Sequence, residues 1–146
     1  MSVTAHDPLL APDSPAWRLA ERMELRPLLQ SADVVSLHVP LIDSTRHLID
    51  TAAVAAMPDR AILVNTSRGG IVDEEAVLAA LRAGTLGGAA LDVFESEPVD
   101  AESGHRFAGV PNLILTPHIA GLIEESQQRV GEVTAANVRA ALAGAP

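Results

Sequence analysis

Three short segments carry side chains suited to chemistry at a carboxylate or carbonyl. In "VNTSRGG", Arg68 follows an aliphatic run and precedes Gly69 and Gly70. Glycines let a backbone approach a ligand closely, and a guanidinium holds a carboxylate through two parallel hydrogen bonds. The same pattern also suits a surface arginine in a tight turn. In "LDVFESEP", Asp92, Glu95 and Glu97 follow another aliphatic run. Such carboxylates can orient a histidine, bind a cofactor amide, ligate a metal or form a solvated acidic loop. In "ILTPHIAG", His118 sits where a strand ends and the chain turns. A carboxylate bonded to an imidazole stabilises the charged ring and makes it a usable acid near neutral pH. Glu97 or Asp92 would serve if their loop folds back; without a partner, the ring is an ordinary loop histidine.

Weaker candidates surround these. His38 in "LHVP" closes a strand and is placed at the site mouth, whereas His47 in "TRHLID" reads as a helix-surface residue. Asp7 ends the first β-prone run; it suits the ribose hydroxyls of an adenine dinucleotide or the start of a turn with Pro8. His105 and His118 stand neither at tight helical spacing nor in a compact set, which argues against a metal site.

The elements that must position these residues alternate. Strands are expected over Ser2–His6, Asp33–Val39, Ala61–Thr66, Gly88–Val93 and Asn112–Leu115. Trp17–Met23 reads as a helical turn or two. Glu24–Ala32 reads as a short helix, with Pro27 in its first turn, where proline is tolerated. The alanine-rich "DSTRHLIDTAAVAAMPD" reads as helical up to Met57-Pro58. "EEAVLAALRAG" has Asp73 as its cap, acids in its first turn and Gly84 as its stop. An acidic, glycine-containing loop runs to Pro111. A last helix spans Leu122–Leu142, with Val130, Val133, Ala136 and Ala140 near one face. Strand–helix alternation argues an α/β, doubly wound parallel sheet of Rossmann type. Ligands of such sheets bind beyond the carboxyl ends of the strands, and Asp7, His38, Thr66 to Arg68, Asp92 and His118 all fall there.

Composition narrows the function. The 146 residues are 48% apolar, 20% charged and only 2% aromatic, so the core is aliphatic. This suits a parallel sheet. A net charge of −9, with the basic residues scattered, argues against a nucleic-acid partner. Cysteine is absent, which removes disulfides and thiolate chemistry and fits a cytoplasmic location. No apolar run is long enough to span a bilayer, which takes roughly 18–20 residues, so no membrane partner is expected.

Taken together, "ADVVSLHVPL", "STRHLI", "AILVNTSRGGIVDEEAVLAALRAG", "GGAALDVFESEP" and "PNLILTPHIAG" resemble the C-terminal portion of the D-isomer-specific 2-hydroxyacid dehydrogenases, in the family's order and separations. The resemblance implies an NAD-dependent oxidoreductase acting on a small 2-hydroxy or 2-keto acid, a homodimer when whole. It implies Arg68, Glu97 and His118 as the catalytic residues. Asp7 is implied as the ribose-binding acid, favouring NAD over a 2′-phosphorylated cofactor. Contacts to the rest of the cofactor are implied for His38, Val39, Pro40, Thr45, Thr66, Ser67, Arg68, Asp92, His118, Ala120 and Gly121. The partial dinucleotide-binding domain is expected over residues 1–121, and residues 122–146 are expected to return toward a second domain.

The family's G-x-G-x-x-G loop is not among the ten glycines. The fold is therefore expected to be incomplete, with first strand and glycine-rich loop absent, and the chain to be a fragment inactive alone. Two other classes compete. A non-catalytic binding or dimerisation module would reuse the scaffold without turnover. A hydrolase built on a His118–Glu97 dyad lacks a serine elbow.

Overall fold

The computed structural model describes residues 1–144. Four parallel strands form the main sheet in the order β3 (Val34–Leu37), β4 (Ile62–Asn65), β5 (Gly88–Leu91) and β6 (Leu113–Leu115). A separate parallel pair joins β1 (Thr4–Ala5) to β2 (Glu21–Arg22). Five helices connect or follow the strands: α1 (Leu25–Ser31), α2 (Thr51–Ala56), α3 (Glu74–Ala83), α4 (Ala101–Gly104) and α5 (Glu124–Leu142). The parallel α/β class read from the alternation is the observed one.

Local chemistry sets the helix limits. The Asp50 side chain accepts the Ala53 N–H at 2.8 Å and starts α2, which stops before Pro58. Asp73 caps α3 through the Ala76 N–H at 3.1 Å. Glu74 and Glu75 occupy the first turn of α3 and Arg82 the last, matching the helix dipole. Gly84 ends it at φ +74°, a left-handed conformation that glycine adopts freely.

The register of the main sheet separates two faces. Val35, Leu63 and Ala89 stand in one row and Leu37, Asn65 and Leu91 in the next row of the same face. All six are buried in the core with residues such as Ile49, Val54 and Val77. The opposite face carries Val34, Ile62 and Ile114, which are 54%, 42% and 65% exposed. Among the described residues, the helices therefore cover one face of the sheet well and the other poorly.

Several sequence expectations need correction. Of Trp17–Met23, only Trp17 and Arg18 are helical. A 3₁₀ turn covers Pro15–Arg18, after which the chain extends into β2. The Glu21 N–H donates to the Val3 carbonyl and the Met23 N–H to the Ala5 carbonyl, both at 2.9 Å, so long-range pairing with β1 overrides local propensity. The segment before Asp50 is a turn rather than a helix, because Thr45 accepts the Ile42 N–H through its hydroxyl and holds the chain compact there. The acidic loop before Pro111 contains α4 and a 3₁₀ turn over His105–Phe107. Helix α5 does form, but no residue of it is buried, Val130 and Val133 included. Ala145 and Pro146, within the segment expected to return toward a second domain, lie outside the described residues.

Candidate active site

The loops that leave the carboxyl ends of β4, β5 and β6 meet around a cleft of about 360 Å³. Arg68, Glu97 and His118 all line it, together with Arg46, His47 and Glu95. Three residues far apart in the chain are thus brought to one surface by the adjacency of their strands.

Arg68 is placed by a buried asparagine. Asn65, the last residue of β4, has no exposed surface. Its amide Nδ2 donates to the Arg68 carbonyl at 2.9 Å, and its Oδ1 accepts the Ser67 N–H at 3.1 Å. The Ser67 hydroxyl donates to the Leu37 carbonyl of β3 at 2.6 Å. The turn is therefore pinned from both sides before Arg68 extends. Gly69 has a steric reason to be glycine: a Cβ there would stand 1.8 Å from the Phe94 carbonyl carbon. The arginine turn and the "DVFESEP" loop touch backbone to backbone at this point.

Glu97 is the carboxylate that reaches His118. Its Oε2 lies 2.8 Å from His118 Nδ1, and its Oε1 accepts the Phe94 N–H at 2.8 Å. The hydrogen bond with His118, followed by that from Phe94, holds the Glu97 carboxyl below the usual range. With Nδ1 bonded to a carboxylate, the ring presents Nε2 as its other nitrogen.

Asp92 has a different task. Its side chain is buried and accepts the Thr116 hydroxyl and the Ile119 N–H on Oδ1 and the Ala120 N–H on Oδ2, the two backbone bonds at 2.9 Å. The Asp92 carbonyl accepts the His118 N–H at 2.8 Å. Burial works to raise the Asp92 carboxyl, but the bonds from Thr116, Ala120 and Ile119 outweigh it and hold the group below its ordinary value. One aspartate thereby shapes the whole Thr116–Ala120 bend. His118 itself sits at φ +55°, in the left-handed region.

Behind the cleft lies a second network, which the sequence did not reveal. Glu74 is 1% exposed and pairs with Arg106. Its Oε1 accepts the Glu95 N–H at 2.6 Å, while Glu95 Oε1 accepts the Glu74 N–H at 3.0 Å. Burial pushes the Glu74 carboxyl up, against the bond from Glu95 and the charge of Arg106. These reciprocal bonds tie the loop bearing Glu97 to the start of α3. An acid in a helix's first turn looks like a dipole partner in sequence, so nothing marked Glu74. Asn65 had a fainter signal, a polar residue closing the aliphatic run "ILVN".

The remaining candidates are spread along the strand ends. Asp7 is exposed after β1, and its Oδ1 accepts the Leu9 and Leu10 N–H groups at 2.9 and 3.2 Å. Among the described residues its second oxygen has no partner, so the carboxylate suits the ribose hydroxyls of a dinucleotide. His38 is exposed, with Nε2 2.9 Å from the Ser36 hydroxyl, and lies outside the cleft. Val39 is half-buried and Pro40 exposed. The Thr45 hydroxyl lies 2.6 Å from the Pro40 carbonyl and 3.1 Å from that of Ile42, so it closes the same loop. Thr66 is exposed at the end of β4, and the Gly121 carbonyl accepts the Gln127 amide at 2.9 Å. His47, expected on a helix surface, instead has φ +48° in a turn and points Nε2 to within 3.6 Å of Glu95. Among the described residues, no group of three His, Asp or Glu could hold a metal, and no helix is long and apolar enough to cross a membrane.

Comparison with known proteins agrees with this fold. Residues 1–120 match the family model described as D-isomer specific 2-hydroxyacid dehydrogenase, NAD binding domain. The chain is similar to an (S)-sulfolactate dehydrogenase of Chromohalobacter salexigens, with 55% identity over 97% of this chain and 46% of that protein. It is 42% identical to a hydroxypyruvate reductase of Thermotoga maritima over 90% of this chain and 42% of that one. A crystal structure of an Aquifex aeolicus D-lactate dehydrogenase complexed with NAD and lactic acid superposes with a TM-score of 0.81 at 31% identity. That superposition covers 99% of this chain and 47% of the other. The chain thus spans under half the length of the relatives it matches.

Proposed function

The chain belongs to the D-isomer-specific 2-hydroxyacid dehydrogenases through their NAD-binding domain, and from that premise we propose that it carries the acid–base half of a hydride-transfer site for a small 2-keto or 2-hydroxy acid. The observation that carries the reading is the 2.8 Å bond between His118 Nδ1 and Glu97 Oε2 inside the cleft that Arg68 also lines.

NAD, when bound, supplies or accepts the hydride. The protein's own groups do the rest. Arg68 holds the substrate carboxylate and polarises the keto oxygen through its fork of donors. Protonated His118 gives its Nε2 proton to the forming alkoxide; in the oxidative direction the neutral ring removes the hydroxyl proton. Glu97 orients the ring and stabilises its charged form. Asp7 takes the adenosine ribose, and a 2′-phosphate there would meet a carboxylate. Thr66, Ser67 and the His118–Gly121 bend border the nicotinamide end, with the loop from His38 to Pro40 and Thr45 alongside. Asp92 contributes there by holding the bend.

Residues 1–121 form the cofactor side of the site in this reading, and α5 leads toward a second domain. Exposed apolar residues on β6 and α5 support a whole protein that assembles as a homodimer. The absence of cysteine supports a cytoplasmic setting.

The test is a chimera in which these residues replace the matching segment of the Chromohalobacter protein. It should oxidise NADH with a 2-keto acid. His118→Ala and Arg68→Ala should each lower turnover by about 10²–10⁴-fold. A folded chimera that binds NADH, yet turns over no 2-keto acid, would favour a non-catalytic module and sink the proposal.

A further inference from the structure

We propose that Arg46 forms a second anion subsite in the cleft, so that the preferred substrate is a small 2-hydroxy or 2-keto acid bearing a second anionic group. The proposal rests on the reading of Arg68 as the group that holds the substrate's 2-carboxylate.

The charged lining of the cleft consists of Arg46, His47, Arg68, Glu95, Glu97 and His118. Both carboxylates are already engaged. Glu97 binds His118 and the Phe94 N–H, and Glu95 accepts the Glu74 N–H with His47 3.6 Å away. The two guanidiniums have no such close partner, although the charge of Arg68 acts on Glu97 at longer range. Among the described residues neither arginine lies within 4.0 Å of a carboxylate oxygen, and the one side-chain bond of Arg68 goes to the neighbouring Ser67 carbonyl. A cleft with its anions paired internally and two cations unpaired selects for added negative charge.

The backbone of Arg46 is tied to that of the Arg68 turn. The Arg46 N–H donates to the Ile42 carbonyl at 3.0 Å, and the next N–H, of His47, donates to the Gly70 carbonyl at 2.9 Å. The turn bearing Arg46 is thereby joined to the turn bearing Arg68. The Arg46 guanidinium packs over Gly70, with Nη1 3.5 Å from where a Cβ on that glycine would stand. A substrate with one carboxylate engages Arg68 alone. A substrate with anionic groups at both ends engages both arginines of the cleft.

The experiment is titration of the 146-residue chain, read by backbone amide shifts, with D-lactate, D-malate and 3-sulfolactate. The two dianions should bind about tenfold tighter than lactate. The stronger of the two identifies the terminal group. Arg46→Gln should abolish the preference and leave lactate binding unchanged, and Arg46→Lys should keep part of it. Arg68→Gln should weaken all three. A preference that survives Arg46→Gln overturns the subsite and leaves the reading of Arg68 standing. So does equal binding of all three that still depends on Arg68. Indifference of all three to Arg68→Gln, or no binding at all, overturns both.

Discussion

The two faces of the main sheet have opposite characters. On the face that packs against α2 and α3, Asn65 is buried with its amide satisfied, and the strand ends lead into loops closed by Asp92 and Glu74. On the other face, Val34, Ile62 and Ile114 reach solvent, and α5 stands beyond β6 with Val130 and Val133 59% and 54% exposed. Polar groups are buried at the strand ends that carry the cleft, and the most exposed apolar residues of the main sheet lie on the other face. The arrangement of Arg68, Glu97 and His118 is therefore built from contacts within these residues, whereas the exposed face and α5 gain little from contacts inside the chain.

The largest test of that contrast is Gly69→Ala. The added Cβ meets the Phe94 carbonyl, so the arginine turn and the Glu97 loop must part. Urea unfolding should show a loss of about 3 kcal/mol, and the His118 ring resonances should lose the signature of the Glu97 bond. A change under 1 kcal/mol would mean that the two loops are less tightly joined than the contact implies. Next comes Arg106→Met, which leaves the Glu74 carboxyl buried without its cation. The expected cost is about 2 kcal/mol, below the range for breaking a fully buried pair, because Arg106 is partly exposed and Glu74 can take up a proton.

Asp92→Asn should cost about 1–2 kcal/mol by turning an acceptor into a donor opposite a backbone N–H. It also predicts a pH effect. The folded-state carboxyls of Asp92 and Glu97 lie below their ordinary values of 3.8 and 4.5. The stability they add is present above those values and is lost as pH falls through the lower folded ones. Glu74 is raised and acts in the opposite sense, its burial penalty growing as pH climbs above 4.5. Unfolding midpoints measured from pH 6 down to about 2 should therefore fall on the acid side, and the fall should be shallower in Asp92→Asn. The smallest expected effect is on the exposed face. Val130→Ser with Val133→Ser should change stability by less than about 0.5 kcal/mol, because the two residue types have similar helix propensity and the site is exposed. A loss of several times that size would show that α5 packs in solution and would erase the contrast.

The sequence made the sheet legible because its strands are short aliphatic runs set between helix caps such as Asp50 and Asp73. It also singled out Arg68, Glu97 and His118, which the structure brings to one cleft. Long-range pairing stayed hidden. The "ERM" stretch has no strand periodicity of its own and extends only because Val3 and Ala5 offer carbonyls. The choice between Asp92 and Glu97 as partner of His118 was open because loop closure depends on Glu74, a residue that resembles any first-turn acid. His47 looked like helix surface because the turn that carries it is held by Thr45 and the Gly70 carbonyl, neither visible as a local pattern.

The left-handed backbone of His118 has a consequence for substitution. A β-branched residue is disfavoured there whatever its side chain does, while Gly and Asn fit with ease. A library randomised at this position and sorted for folding alone should be dominated by glycine and asparagine. Histidine should become the common survivor only when turnover is the selection, so the same library separates what the bend demands from what the reaction demands.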